Sequence, residues 1–259
     1  MRKNPKEAKR QSIPFVVQAK RDYNRRIGLS PPWEGVKISV NKQEARERAL
    51  LFDRLPICDL DNPIVRKSYL RAAAEIHNQW VFATEQMGML FEPWRKEGQP
   101  YPNSQAMFDD VAKNNHLYFF TGGEKHPVFG YRINSTGYTV DYEFRAIHDL
   151  FGHSAEGNQF GPQGEENAWL SHSQMFSPLA QRAITAELRG QNSWLNFGPH
   201  MWREDGTWRG DEMPIYQRPI AEQKVALLPP DQSDWENKIA QQVPVSGDVD
   251  NRRIYRLTF

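Results

Sequence analysis

Apolar residues recur every three or four positions along much of this 259-residue chain, which is the spacing of one face of an α-helix. The longest such pattern covers residues 63–91 and ends before Pro93, which lacks the backbone N–H that a continuing helix needs. The same spacing predicts shorter helices at 41–52, where Asn41 begins a capping box, and at 104–113. The pattern therefore predicts a mainly α fold.

One short stretch favours a different structure. Residues 116–120 are a run of aromatic and apolar residues, which is typical of a β-strand, and the Gly122-Gly123 pair after them predicts a turn. Residues 128–133 are suited to return as a partner strand. We therefore expect a small β-hairpin beside the helices.

The two ends of the chain differ from its middle. Residues 1–40 hold four prolines, and they predict an extended N-terminal arm with at most a turn of helix near 18–25. Residues 41–259 are expected to form a single, mainly helical metal-binding domain. Within it, residues 200–230 are rich in glycine and proline and predict loops, and a short helix is expected at 233–242.

Two histidines stand five positions apart in the middle of the chain. Residues 141–151 predict a helix that carries His148 at the edge of an apolar face, and Gly152 is expected to end it. His153 is then the first residue beyond the helix, so its side chain can turn back toward His148. The two imidazoles are expected to converge.

The next two predicted helices, at 164–176 and 177–190, carry polar groups on faces that are otherwise apolar. Glu165 and His172 share such a face on the first helix. Glu187 lies in the middle of the inward face of the second. An ionised carboxylate in an apolar interior is costly, so Glu187 is expected to need a cation, a proton or a metal as its partner.

Two histidines and one carboxylate form a known type of metal-ligand set. Because these three ligands leave other coordination positions open, the set is typical of non-haem Fe(II) oxygenases. Zn²⁺ with the same ligands would favour hydrolysis instead. We therefore expect His148, His153 and Glu187 to bind a metal ion.

The six residues from His148 to His153 resemble the His-[Glu/Asp]-x-[Leu/Phe]-Gly-His motif of the pterin-dependent aromatic amino acid hydroxylases. In that family the two histidines bind iron, and a glutamate in a Thr-x-Glu context completes the ligand set. Glu187 matches that context. The family also has an arginine that holds the substrate carboxylate and a Tyr-Thr pair before the first histidine, and Arg132 and Thr139 stand at similar spacing.

This resemblance covers residues 132–187 and implies an aromatic amino acid hydroxylase-like catalytic core. It implies a mono-oxygenase with Fe(II) and tetrahydropterin as cofactors, and with O₂ and an aromatic or amino-acid-like small molecule as substrates. The chain departs from the family at residues 154–158, which are polar and predict a flexible segment. Asp149, Glu165 and His172 are expected to act beside the ligands, by orienting them or by relaying protons.

Other interpretations stay open on the sequence. The His148-Asp149 pair also resembles the doublet of the HD superfamily of metal-dependent phosphohydrolases, in which Asp149 would itself be a ligand. A dinuclear site that adds Glu75, His77 and Glu85 lacks the Glu-x-x-His spacing of di-iron bundles. A third hypothesis is a structural or interaction protein whose histidines form hydrogen bonds in the core.

Composition bears on the partners and the location of the protein. A net charge of +1, with 39% hydrophobic and 25% charged residues, fits a soluble globular protein and predicts no general affinity for nucleic acids or membranes. The single cysteine, Cys58, excludes an intrachain disulfide framework, and together with the lack of long apolar runs it favours the cytoplasm. The alternating tail at 252–259 suits packing on a neighbouring subunit, so a homo-oligomer stays open.

Overall fold

The computed structural model describes residues 12–131 and 136–234. Arg132, the expected substrate-binding arginine, lies outside the described residues. The first eleven residues of the arm and the strand-like tail at 252–259 lie outside them as well. Of the helix predicted at 233–242, only the first two positions are described.

The described residues are mainly helical, which confirms the predicted fold class at that level. The longest helix, at Pro63–Val81, packs in the centre of the core against the helices at Val140–His148 and Pro178–Thr185. The α-helices are α1 (Pro14–Ile27), α2 (Lys42–Asp53), α3 (Pro63–Val81), α4 (Ser104–Asn114), α5 (Val140–His148), α6 (Pro162–Ser173), α7 (Pro178–Thr185) and α8 (Gln191–Phe197).

Helix starts follow the chemistry of the sequence. The Asn41 side chain accepts hydrogen bonds from the backbone N–H groups of Gln43 and Glu44, as the predicted capping box requires. Asn62 and Asn103 cap α3 and α4 in the same way. Because these caps satisfy N–H groups that have no partner within the helix, they set where each helix begins.

The β element is a parallel pair, so the predicted hairpin is wrong. The strands β1 (Leu90–Trp94) and β2 (His116–Phe120) pair with Leu90 opposite His116, and α4 connects them. The stretch expected to return as a strand has other partners: the backbone N–H groups of Val128 and Phe129 donate to Nδ1 of His126. A side chain thus takes the hydrogen bonds that a hairpin would have used.

The described part of the N-terminal region, from residue 12, contains a long helix where the sequence predicted an extended arm. Helix α1 is fourteen residues long and buries Val16 and Tyr23 in the same core as α3, α5 and α7. The backbone N–H of Ile13 also donates to the carbonyl of Ala155. Periodic apolar residues explain why α1 forms, although the prolines on either side of it favour an extended chain.

Three helices continue into π-helical turns, where backbone bonds run from residue i to i+5. The turns Phe82–Gln86, Asp149–Ser154 and Ala186–Gly190 follow α3, α5 and α7. Two glycines that were expected to end helices therefore lie inside continuous helical chain. A Cβ at Gly152 would lie 2.9 Å from Nδ1 of His148, and one at Gly190 would lie 2.6 Å from the Phe52 ring.

These glycines are thus sites of close packing and not helix stops. The chain after Gly190 continues as α8. Residues 200–230 contain short 3₁₀ turns between irregular segments, as predicted. Within the described ranges, no helix combines the length and apolar character needed to cross a membrane.

Candidate metal centre

The π-helical turn Asp149–Ser154 brings the two histidines together. In a regular α-helix, residues five apart point about 140° away from each other. The wider turn nearly closes that angle, and the rings of His148 and His153 lie with their centroids 4.9 Å apart at an interplanar angle of 80°. The predicted convergence of the imidazoles is present, although the chain reaches it through a π turn and not through a helix end.

Glu165 is the carboxylate that joins them. Its Oε2 lies 3.3 Å from Nε2 of His153 and 3.8 Å from Nε2 of His148. One ligand atom from each of the three residues lies within 4.8 Å of the others, the only such group of three or more His, Cys, Asp or Glu in the described part of the chain. Both histidines are buried, while the Glu165 side chain is 29% exposed. The three residues therefore form a cluster with one side toward the surface.

Glu187, predicted as the third ligand, lies in a different cluster. Its Oε1 accepts hydrogen bonds from the Tyr69 hydroxyl at 2.7 Å and from Nε2 of His126 at 3.2 Å. Its Oε2 accepts from the side-chain amides of Gln191 and Gln223, at 2.9 and 2.8 Å. The sequence correctly predicted a buried carboxylate that needs partners. Four hydrogen-bond donors meet that need here, and Glu165 takes the position expected of Glu187.

Each ligand histidine has its Nδ1 engaged elsewhere. Nδ1 of His153 lies 2.9 Å from the backbone carbonyl of Asn158, which can only accept, so this nitrogen carries the hydrogen. Nδ1 of His148 lies 3.3 Å from Nδ1 of His172. In both rings it is therefore Nε2 that faces Glu165, which is the arrangement of metal-ligating histidines whose second nitrogen is held by the protein.

The electrostatics of the cluster favour a cation at its centre. An unprotonated Nε2 and a carboxylate oxygen are both acceptors, so they attract each other only when a proton or a metal ion lies between them. Burial opposes a charge on His153, but the neighbouring Glu165 carboxylate outweighs it and raises the pKa of the ring to about 9. Burial also opposes ionisation of Glu165, yet the adjacent histidines hold its pKa well below the usual range. Burial lowers the pKa of His148.

Two more predicted residues lie beside the cluster. His172 is fully buried, and this burial pushes its pKa well below the usual value, so the ring is neutral. Its Nε2 lies 2.8 Å from Oε1 of Gln79 on α3, a residue that the sequence gave no reason to single out. Asp149 is half-buried, and burial raises its pKa to about 7 against the opposing charge of His153. Both residues are neighbours of the ligand set and not members of it.

The polar segment at 154–158, after the second histidine, was predicted to be flexible. In the structure it is mostly buried and held by hydrogen bonds. Nζ of Lys37 donates to Oε2 of Glu156 at 3.2 Å and to Oδ1 of Asn158 at 2.5 Å. The Asn158 amide in turn donates to the carbonyl of Gly152 at 2.7 Å. Since the carbonyl of Asn158 holds His153, these contacts anchor the segment that positions one ligand.

Thr139, the predicted substrate residue that the structure describes, is not brought to the cluster. Thr139 caps α5, where its hydroxyl accepts from the backbone N–H of Tyr142, and it lines a surface cleft of about 550 Å³ together with Asp141 and Tyr131. Thr139 and His148 lie at opposite ends of α5, about 13 Å apart along the helix axis.

Two of the three residues considered for a dinuclear site, Glu75 and His77, are engaged elsewhere. Glu75 accepts from the backbone N–H and the hydroxyl of Ser177, and His77 lies 3.0 Å from Oε2 of Glu143. Neither belongs to the group around His148. The structure therefore brings together one set of three candidate ligands in the described residues.

Known proteins give no further guide to this centre. Searches of protein-family models, of curated proteins and of solved structures find no match.

Proposed function

We propose that the protein is a mononuclear non-haem Fe(II) mono-oxygenase whose iron is held by His148, His153 and Glu165. The observation that carries this proposal is the donor set: one ring nitrogen from each of two histidines and one carboxylate oxygen converge within 4.8 Å. Two histidines and one carboxylate leave coordination positions open and suit Fe(II). When bound, the iron would supply the activation of O₂ with electrons from a reductant.

The protein would contribute the shape and polarity of the site. The buried histidines hold their nitrogen lone pairs in fixed directions, and Glu165 supplies the negative charge on the more exposed side. Beside them, the Phe160 ring packs edge-on to His153 with centroids 5.3 Å apart and is 44% exposed. An exposed aromatic face next to the ligands favours a flat, apolar substrate.

The substrate proposed is therefore an aromatic or amino-acid-like molecule, with tetrahydropterin as the reductant that the sequence motif suggests. The proposed role of Thr139 requires a substrate that extends from the cluster toward the start of α5, and Arg132 stays the proposed partner of the substrate carboxylate. Screening of aromatic amino acids with tetrahydropterin, by measuring O₂ consumption together with product formation, tests this part separately from iron binding.

Iron binding is tested by elemental analysis of protein purified without oxygen. We expect about one iron per chain in the wild type, and loss of that iron in the His148→Ala and Glu165→Ala variants. His200→Ala is a matched control, because His200 is a half-buried histidine that binds the carbonyl of Leu195 away from the cluster. Retention of iron by folded Glu165→Ala would overturn the proposed ligand set.

A zinc hydrolase is the second candidate, because two histidines and one glutamate are also a ligand set of catalytic zinc. The metal recovered from the wild type separates the two functions. The HD-type phosphohydrolase differs in requiring Asp149 as a ligand. An Asp149→Asn variant without metal would support that hypothesis, whereas the proposed iron site predicts that this variant retains its metal.

A further inference from the structure

Gln79 is a fully buried residue whose amide has one allowed orientation. Its Nε2 lies 3.1 Å from the backbone carbonyl of Met175. A carbonyl oxygen can only accept, so the NH₂ group of Gln79 must face Met175. The amide oxygen therefore faces the other way, toward α6.

This orientation fixes which nitrogen of His172 carries its hydrogen. Oε1 of Gln79 lies 2.8 Å from Nε2 of His172, and an amide oxygen can only accept. Nε2 of His172 is therefore the donor, and Nδ1 of this neutral ring keeps its lone pair. Aromatic contacts with Phe144 and Phe176, at centroid distances of 6.1 and 5.0 Å, hold the ring in place.

The same logic extends to the metal centre. Nδ1 of His148 lies 3.3 Å from the unprotonated Nδ1 of His172, so His148 must donate from Nδ1. Its Nε2 is then left without a hydrogen and points toward Glu165. The opposite tautomer would place an N–H where the metal ligand is needed, and would leave two lone pairs facing each other in a buried space.

We infer that Gln79 and His172 are positioning residues that fix the Nδ1–H tautomer of His148 and thereby aim its Nε2 lone pair at the metal. This inference rests on the proposed metal centre for its purpose, but the tautomer itself is a property of the metal-free chain. The backbone carbonyl of Met175 sets the direction of the whole series, and no charged group takes part in it.

Four variants test the inference. His172→Phe removes the acceptor for His148, whereas His172→Asn offers a side-chain oxygen in its place. Gln79→Met removes the group that orients His172. Gln174→Met is the matched control, because Gln174 is a buried glutamine whose amide donates to the carbonyl of Leu170 and accepts from the backbone N–H of Trp33, and not to or from His172 or His148.

Two measurements are made on each variant. Titration with Co²⁺, followed by its visible absorption, gives the metal affinity. Nitrogen-15 NMR of the histidine rings, recorded on metal-free protein, shows which nitrogen of His148 carries the hydrogen. A purely structural role would change folding stability without changing this tautomer.

We expect His172→Phe to bind Co²⁺ about 10–100-fold more weakly and Gln79→Met about tenfold more weakly, with both tautomers of His148 present in their metal-free spectra. His172→Asn should recover most of the loss, and Gln174→Met should match the wild type. The inference is overturned if wild-type His148 carries its hydrogen on Nε2, or if Gln79→Met and Gln174→Met bind Co²⁺ equally well.

The two proposals fail in different ways. A wild type that binds neither Co²⁺ nor Fe²⁺, yet shows the Nδ1–H tautomer and loses it in Gln79→Met, would refute the metal centre and support the positioning role. A wild type that binds Co²⁺ while its tautomer is unaffected by Gln79→Met would refute the positioning role alone.

Discussion

Among the described residues, the clusters around Glu187 and Glu165 both combine a glutamate with buried histidine, and they differ in the direction of their hydrogen bonds. Around Glu187, every contacting group donates: Tyr69, His126 and two glutamine amides satisfy both oxygens. Around Glu165, the facing groups are the Nε2 atoms of His148 and His153, whose Nδ1 atoms are used elsewhere.

The difference teaches how to recognise a metal centre among buried polar groups. A carboxylate surrounded by donors is complete, because each oxygen lone pair already has a hydrogen. The Glu165 cluster is incomplete in a different sense, because its carboxylate faces a proton on His153 that a metal ion can replace. Residue types alone do not separate the two cases, since both clusters contain glutamate and histidine.

The largest expected difference is in metal affinity. Replacing Glu165 with Gln turns the one negatively charged ligand into a neutral amide. Co²⁺ binding should therefore weaken by about 100-fold or more. Glu187→Gln should leave the affinity within about threefold of the wild type. Titration of both variants with Co²⁺ measures this. Comparable losses in the two variants, with circular dichroism showing both folded, would mean that Glu187 belongs to the metal centre.

Folding stability should show the reverse order. Glu187→Ala removes the acceptor of the buried His126 Nε2–H and of two half-buried glutamine amides, while Tyr69 keeps the carbonyls of Lys224 and Ala226 as acceptors. This change should cost about 2 kcal/mol of unfolding free energy. Above about pH 9, where His153 is neutral and its pairing with Glu165 no longer contributes, Glu165→Ala should cost about 1 kcal/mol or less in metal-free protein, because this side chain is partly exposed. Urea denaturation with chelator present measures both. An equal loss would remove the distinction between a complete and an incomplete cluster.

Much of this arrangement was predictable from the sequence, and the rest was not, for a physical reason. Helical periodicity predicted the mainly α fold and put Glu165 and His172 on one face, and the motif paired His148 with His153. Gln191 is four positions after Glu187 and could be paired with it on a helix, but the other partners come from residues 69, 126 and 223, which no local pattern connects.

The π-helical turns were missed for a related reason. Gly152 and Gly190 have the local sequence of helix ends, but they are glycines because His148 and Phe52 pack against their Cα atoms. Such a constraint comes from tertiary packing, so periodicity along the chain does not report it. The expected hairpin fails for a similar reason, because the side chain of His126 takes the backbone hydrogen bonds of Val128 and Phe129 in the expected return strand.

The pH dependence of metal binding should also separate the clusters. Glu165 raises the pKa of His153 to about 9 in the metal-free protein, above the unfolded value of about 6.5. Below pH 9 a metal must displace this proton, so Co²⁺ affinity should fall about tenfold for each unit of decreasing pH between 8.5 and 6.5.

The same proton affects the stability of the metal-free protein. A pKa that is raised by folding contributes stability that is fully present below about pH 6.5 and is lost as the pH rises through about 9. Chelator-treated wild type should therefore lose stability over this range, and His153→Gln should lose less. Metal affinity that does not change between pH 6.5 and 8.5 would show that no proton occupies the cluster.

The smallest expected effects come from the two close-packed glycines, and they test whether each π-helical turn serves its own cluster. Gly152→Ala would place a Cβ 2.9 Å from Nδ1 of His148 and 3.1 Å from the carbonyl of Ala168, so the His148 ring must shift. Gly190→Ala would instead press on the Phe52 ring at 2.6 Å.

Overpacking of this kind costs about 1–3 kcal/mol, so both variants should lose similar stability in urea denaturation. Only Gly152→Ala should also weaken Co²⁺ binding, by about tenfold, because it displaces a ligand. Equal affinities in the two variants would mean that the close approach of His148 to Gly152 serves packing alone and leaves the position of its Nε2 unchanged.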